Sequence, residues 1–153
     1  MKSFTNITVS VFAKPEEDAL KLKDGLLALI PLNLEEEQLV LEDKKVDGFN
    51  ERVIHIYSLT LSKDRHVNAF MDFLLGKLNN QQKTQIAHQA DSRLDSELVF
   101  FIRLDKDLWS HERVMQLTDT GSCYHLRLTV AAFPKRREIA LDIATKVFKD
   151  GKA

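Results

Sequence analysis

The chain has 153 residues, of which 44% are hydrophobic and 29% charged, and its formal net charge is −1. This composition is typical of a soluble globular protein, and the length suits a single domain spanning residues 1–153. No stretch reaches the roughly 18 uncharged apolar residues of a membrane span, and the N-terminal residues do not resemble a signal peptide. Cys123 is the only cysteine, which excludes an internal disulfide and favours a cytoplasmic location.

The N-terminal third of the chain predicts strand, helix, strand. Residues 4–13 alternate between apolar and polar positions, as in a half-buried strand. Pro15 and the acidic residues after it suit a helix start, and Pro31 ends that helix. A short strand is predicted around Leu39–Leu41 with a turn near Asp47-Gly48, and the run ERVIHIYSLTL predicts a further strand.

The remaining elements follow in the same way. Ser62 is predicted to cap a helix. A more polar helix is predicted over about 81–93, a strand over 98–104, and a hairpin of RVMQLT with CYHLRLTVAA around Asp119–Ser122. Pro134 opens the last helix. The helix after Ser62 carries its apolar residues at helical spacing, at Val67, Phe70, Met71, Leu74, Leu75 and Leu78.

This order of elements predicts an α+β fold, a two-layer sandwich in which helices pack on one face of a mostly antiparallel sheet. The other face of the sheet is then predicted from the strand alternation. Its candidates are Thr8, Ser10, Phe12, Phe101, Arg103, His125, Arg127 and Thr129.

Catalytic motifs are missing from the sequence, which has no phosphate-binding glycine loop, nucleophile elbow or paired zinc-binding histidines. Asp105, Asp107 and Glu112 could hold magnesium, but Lys106 and Arg113 lie among them and favour salt bridges in a solvated turn. We therefore predict no enzyme, no metal site and no cofactor.

Two stretches are the best candidates for a binding surface: the segment RLDKDLWSHER, residues 103–113, and the basic run Lys135–Arg137. Basic side chains there could contact phosphates, and Trp109 could stack on an unpaired base. Alternatively, Trp109 anchors a core, and the basic run is only the exposed first turn of the last helix. The predicted RNA-binding residues are Lys106, Trp109, Arg113, Arg127, Lys135, Arg136 and Arg137.

An ordered set of short motifs resembles an archaeal family described as predicted exosome subunits or RNA-binding proteins. The matching residues are Leu104-Asp105-Lys106, Leu117-Thr118-Asp119, Ala131-Ala132-Phe133-Pro134 and Arg137-Glu138. The resemblance implies a fold like that of the ribosomal protein that contacts 5S RNA, and a function in RNA binding beside the exosome. Lys106 carries over from the family pattern, whereas Trp109 lies in a segment, 107–111, that departs from it.

Together these features predict a non-enzymatic RNA-binding protein. Its expected partners are RNA, with exosome proteins and a second copy of the chain as further candidates, and neither DNA nor a membrane. The alternative is a protein–protein interaction module without direct RNA contact. That alternative predicts an exposed apolar patch formed by Phe12, Phe101 and Trp109 rather than a continuous basic surface.

Overall fold

The elements of the fold are taken from a computed structural model, which describes residues 2–48 and 52–153. Five strands and five helices occur in these ranges, together with one turn of π-helix that we call the π-turn. In chain order they are β1 (Phe4–Ala13), α1 (Ala19–Ala28), β2 (Glu42–Asp47), β3 (Val53–Leu61), α2 (Asp64–Lys77), α3 (Asn80–His88), α4 (Ala90–Arg93), β4 (Val99–Asp105), the π-turn (Leu108–Glu112), β5 (Cys123–Val130) and α5 (Arg137–Asp150).

The strands form one antiparallel sheet in the order β2-β3-β1-β5-β4, which confirms the predicted two-layer α+β class. β2 and β3 are paired with Lys44 opposite Ile56 and Lys45 opposite His55. Strands distant in sequence therefore become neighbours, since β1 lies between β3 and β5. No helix in the described ranges is long and apolar enough to cross a membrane.

Two predicted strands were misplaced. The strand expected at Leu39–Leu41 begins instead at Glu42, because β2 is an edge strand exposed along its whole length and carries no apolar pattern. The predicted strand RVMQLT forms only one bridge within the described chain, between Leu117 and Leu104 of β4. Arg113 precedes it with a left-handed backbone (φ 56°), which interrupts an extended run. The turn expected near Asp47-Gly48 borders residues 49–51, which lie outside the described ranges.

The predicted helix boundaries needed smaller corrections. The helix expected over 81–93 is two helices, α3 and α4, with the break at Gln89. α2 begins after Lys63 rather than Ser62, and no side chain caps it. α5 begins three residues after Pro134, since Arg136 still has an extended backbone.

The chain divides into two compact units. The first unit contains Met1–Ile7, Leu61–Ile102 and Arg127–Ala153; the second contains Thr8–Thr60 and Arg103–Leu126. Organisation as one domain over 1–153 stays a prediction.

The core of the first unit is built from helical stripes. Val67, Phe70 and Leu74 of α2 are buried, which confirms the predicted periodicity. Phe148 of α5 stacks on Phe100 of β4 with ring centroids 5.5 Å apart. Aromatic contacts of this kind add to the stabilisation from apolar burial.

In the second unit, a hydrogen bond joins β5 to α1. The hydroxyl of Tyr124 on β5 donates a 2.8 Å hydrogen bond to the carbonyl of Leu22. Gly25 lies so close to this hydroxyl that a Cβ at position 25 would collide with it. The close approach of Tyr124 therefore requires glycine at position 25. Burial also raises the pKa of the Tyr124 hydroxyl.

Alternating burial along the strands confirms the predicted faces of the sheet. In β1, Ile7, Val9 and Val11 are buried, whereas the residues between them are half-buried and Phe12 is 54% exposed. β4 and β5 alternate in the same way. We call the solvent-facing side the open face. The eight residues predicted for it are all exposed or half-buried: Thr8, Ser10, Phe12, Phe101, Arg103, His125, Arg127 and Thr129.

Candidate functional site

Lys106, the residue singled out by the family pattern, lies in the interior of the second unit. Only 1% of it is exposed. Its ammonium donates a 2.7 Å hydrogen bond to the carbonyl of Phe12 and lies 3.1 Å from Oε1 of Glu17. The structure therefore contradicts a phosphate contact by Lys106, because its charge is already paired and shielded from solvent.

Glu17 is held in its charged form by this arrangement. Burial by itself raises the pKa of Glu17, but hydrogen bonds from the backbone N–H of Lys14 and from Lys106 outweigh it and leave the pKa lowered. The N–H of Lys14 lies 3.0 Å from Oε1. The ion pair therefore connects the end of β4 to the end of β1 and the loop after it.

Trp109 is the core anchor that the sequence left as an alternative. It is 2% exposed, and its indole N–H donates a 2.7 Å hydrogen bond to the carbonyl of Gly25. That carbonyl lies in the last turn of α1, where helix carbonyls lack intrahelical partners. A base-stacking role for Trp109 is contradicted, and the apolar patch expected for a protein–protein module loses one of its three members.

Arg113 is exposed and closes the π-turn. Its Nη1 donates hydrogen bonds of 2.8 Å to the carbonyls of Trp109 and Ser110, and its guanidinium lies 5.8 Å from the Trp109 ring centroid. A guanidinium carries five N–H donors, so the remaining ones can still contact a phosphate. The π-turn begins where Oδ1 of Asp105 accepts a 2.9 Å hydrogen bond from the N–H of Leu108.

The other predicted residues belong to the first unit. Arg127 projects from the open face of β5, and Lys135 and Arg136 are exposed before α5. Arg137 instead has a structural role. Its Nη2 donates a 2.7 Å hydrogen bond to the carbonyl of Asp91, and its Nη1 donates a 3.0 Å hydrogen bond to the carbonyl of Leu94. Within the described residues, the side chains of Arg127 and Arg136 have no hydrogen bond or ion pair.

Sequence reasoning did not nominate a hollow on the open face of the second unit. This hollow has a volume of about 140 Å³ and contains no carboxylate in its lining. Its position could not be predicted without the strand order, since the lining comes from β1, β4, β5 and the turn before β5. The alternation pattern had placed Phe12, Arg103 and His125 on this face, which was the one available signal. The lining is Ser10, Val11, Phe12, Arg103, Gly121, Cys123 and His125.

The segment 105–112 carries three carboxylates, at Asp105, Asp107 and Glu112. In the part of the chain that the structure describes, no three His, Cys, Asp or Glu side chains are grouped so that they could hold a metal ion. Cys123 is buried, which raises the pKa of its thiol despite the positive charges of Arg103 and Lys106.

The sheet order and the packing of the helices make this a two-layer α+β protein. The exposed face of its sheet carries arginines and an aromatic ring. The family described as RNA binding matches residues 6–130, and the chain belongs to that family. The chain is similar to the RNA-binding protein PAB1135 of Pyrococcus abyssi, with 23% identity over 133 residues, which are 87% of this chain and 86% of that protein.

Two solved structures from archaea are similar to this chain, and the resemblance had implied an archaeal protein. Protein AF2318 from Archaeglobus fulgidus superposes with a TM-score of 0.80 and 21% identity, covering 96% of this chain and 99% of that one. Mth689, a DUF54 protein from Methanothermobacter thermautotrophicus, has a TM-score of 0.75 and 23% identity, with the same coverage. At these identities the likeness shows the fold alone.

Proposed function

We propose that this chain binds RNA without catalysing a reaction on it, and that it acts as an accessory protein of the archaeal exosome. One observation carries the RNA part: Arg127 and Arg136 are exposed, and no described residue neutralises their side chains. Exposed guanidiniums are suited to bidentate pairing with phosphate. Arg113 and Lys135 are exposed as well and extend the same chemistry, whereas Lys106, Trp109 and Arg137 support the fold.

The finer parts of the proposal have separate support. The family name and the name of the Pyrococcus protein both indicate RNA binding. The link to the exosome and a kinship of fold with the ribosomal protein that contacts 5S RNA rest on the motif resemblance in 98–140. The non-enzymatic role rests on the lack of catalytic motifs in the sequence.

RNA affinity should fall steeply with added salt, because phosphate contacts release counterions. For a single strand, each contact contributes about 0.7 to the slope of log affinity against log salt. The double variant Arg127→Gln/Arg136→Gln should therefore reduce the slope by about 1.4 in a fluorescence-anisotropy titration.

The matched control for that titration is Lys149→Gln/Lys152→Gln, which removes the same charge from exposed positions in and after α5 and should leave the slope close to that of the wild type. Equal slopes for both double variants would contradict the assigned contacts. No binding of the wild type at about 50 mM salt would contradict RNA binding itself.

Association with the exosome should persist after RNA is removed. We expect the tagged chain to retain purified archaeal exosome subunits both before and after ribonuclease treatment, as judged by gel and mass spectrometry. Retention that disappears with ribonuclease would show that RNA alone bridges the two. No retention in either condition would exclude the accessory role while leaving RNA binding intact.

A further inference from the structure

We propose that the hollow bounded by Phe12, Arg103 and His125 binds one unpaired nucleotide of single-stranded RNA, with the base stacked on Phe12 and a neighbouring phosphate on Arg103. This inference rests on the proposed RNA-binding function and deepens it by naming the site and the kind of RNA. All of the residues involved belong to the second unit.

Phe12 provides the stacking surface. It is 54% exposed, in a strand whose neighbouring residues Val11 and Ala13 are each 1% exposed. Its ring therefore contributes little to the core and presents a flat apolar surface to solvent. Every base has a face that can stack on such a ring.

The backbone beneath this ring is held by the buried ion pair. The carbonyl of Phe12 accepts a 2.7 Å hydrogen bond from Lys106, whose ammonium is held in turn by Glu17. A backbone fixed before binding loses little further conformational entropy when a base stacks on the side chain that it carries. Lys106 thus supports the backbone behind the site and does not contact a phosphate.

Arg103 provides the positive charge. Its side chain is exposed on β4, and its Nη1 donates a 3.1 Å hydrogen bond to the carbonyl of Asp119, which orients the guanidinium. No carboxylate lines the hollow, so the described lining does not neutralise this charge. The fork of a guanidinium matches two phosphate oxygens.

The size of the hollow selects among ligands of this chemistry. At about 140 Å³ it is far smaller than the roughly 300–1,000 Å³ of pockets that enclose cofactors or other small molecules. One planar base can enter it from solvent with its phosphate left at the rim. Bases inside a duplex are stacked on one another, so the occupant has to be an unpaired nucleotide.

The test compares single-stranded and duplex RNA on the full chain. We expect Phe12→Ala to weaken binding of a short labelled oligouridine about tenfold, and Arg103→Gln to weaken it several-fold, whereas affinity for duplex RNA should not change with Phe12→Ala. Matched controls are Phe133→Ala, at another strongly exposed phenylalanine, and Lys149→Gln. Both should bind the oligouridine like the wild type.

A second readout reports contact directly. Oligonucleotides carrying 4-thiouridine should photocrosslink to peptides from β1, β4 or β5, mapped by mass spectrometry, and the yield at β1 should fall in Phe12→Ala. Thermal melts should show that Phe12→Ala and Arg103→Gln are both folded, because the side chains of Phe12 and Arg103 are exposed.

The outcomes separate the site from the function. If the wild type binds RNA but Phe12→Ala and Arg103→Gln bind oligouridine as tightly, or if crosslinks map only outside β1, β4 and β5, the site is overturned and RNA binding stands. If the wild type binds neither RNA at low salt, the site falls together with the proposed function.

Discussion

Replacement of Trp109 by alanine is expected to lower the free energy of unfolding by about 4 kcal/mol. The indole is 2% exposed, so its removal leaves a cavity. It also leaves the carbonyl of Gly25 without its hydrogen-bond donor. Urea denaturation followed by circular dichroism measures the change, since the variant lacks the only tryptophan of the chain.

Two controls make this result specific. Trp109→Phe keeps an aromatic ring but loses the indole N–H, so an intermediate loss is expected. Phe133→Ala removes a ring that is 79% exposed and should change stability by no more than about 0.5 kcal/mol. A loss as small for Trp109→Ala, or quenching of wild-type indole fluorescence by added RNA, would show that Trp109 is accessible rather than buried.

Replacement of Lys106 by methionine is expected to lower the free energy of unfolding by about 3 kcal/mol. Methionine keeps the apolar stem but leaves Glu17 and the carbonyl of Phe12 without the ammonium that bonds both. The expected loss is at the low end for a broken buried pair, because the Glu17 side chain is 23% exposed and can be partly hydrated. Urea denaturation at neutral pH measures the effect.

The difference between wild type and Lys106→Met should also depend on pH. The pKa of Glu17 is lowered in the fold from its ordinary value of 4.5. The charged form of Glu17 therefore stabilises the wild type fully at any pH above about 4.5. This contribution is lost as the pH falls through the lowered pKa. The stability gap between wild type and variant should therefore be constant from neutral pH to about 4.5 and narrow below it.

Lys149→Met is the matched control, because Lys149 is exposed on α5 and should change stability by no more than about 0.5 kcal/mol. The double variant Lys106→Met/Glu17→Gln should recover part of the loss, since no uncompensated carboxylate remains. If Lys106→Met is as stable as the wild type at neutral pH, the ion pair does not support the end of β1.

Local patterns predicted the elements whose burial is periodic. The alternation in β1 and the helical spacing in α2 each appear as expected, because one face of each element is buried and the other is not. β2 was misplaced for the complementary reason: all six of its residues are exposed. It is defined by pairing with β3, which no local pattern encodes.

The candidate site shows the same division. Basic residues were nominated for their charge, and charge alone does not reveal whether a partner distant in sequence neutralises it. The partner of Lys106 is 89 residues away, and the indole of Trp109 bonds a carbonyl 84 residues away. Arg137 likewise bonds the Asp91 carbonyl, 46 residues earlier.

The sequence by itself therefore determined which side of β1, β4 and β5 meets solvent and which family the chain resembles. Both are encoded in the spacing of residue types along the chain, since side chains alternate across a strand. Only the tertiary structure decided that Lys106 is buried against Glu17 and Phe12, and that Phe12, Arg103 and His125 line one hollow. The reason is that strand order sets neighbours across distances that local spacing does not encode.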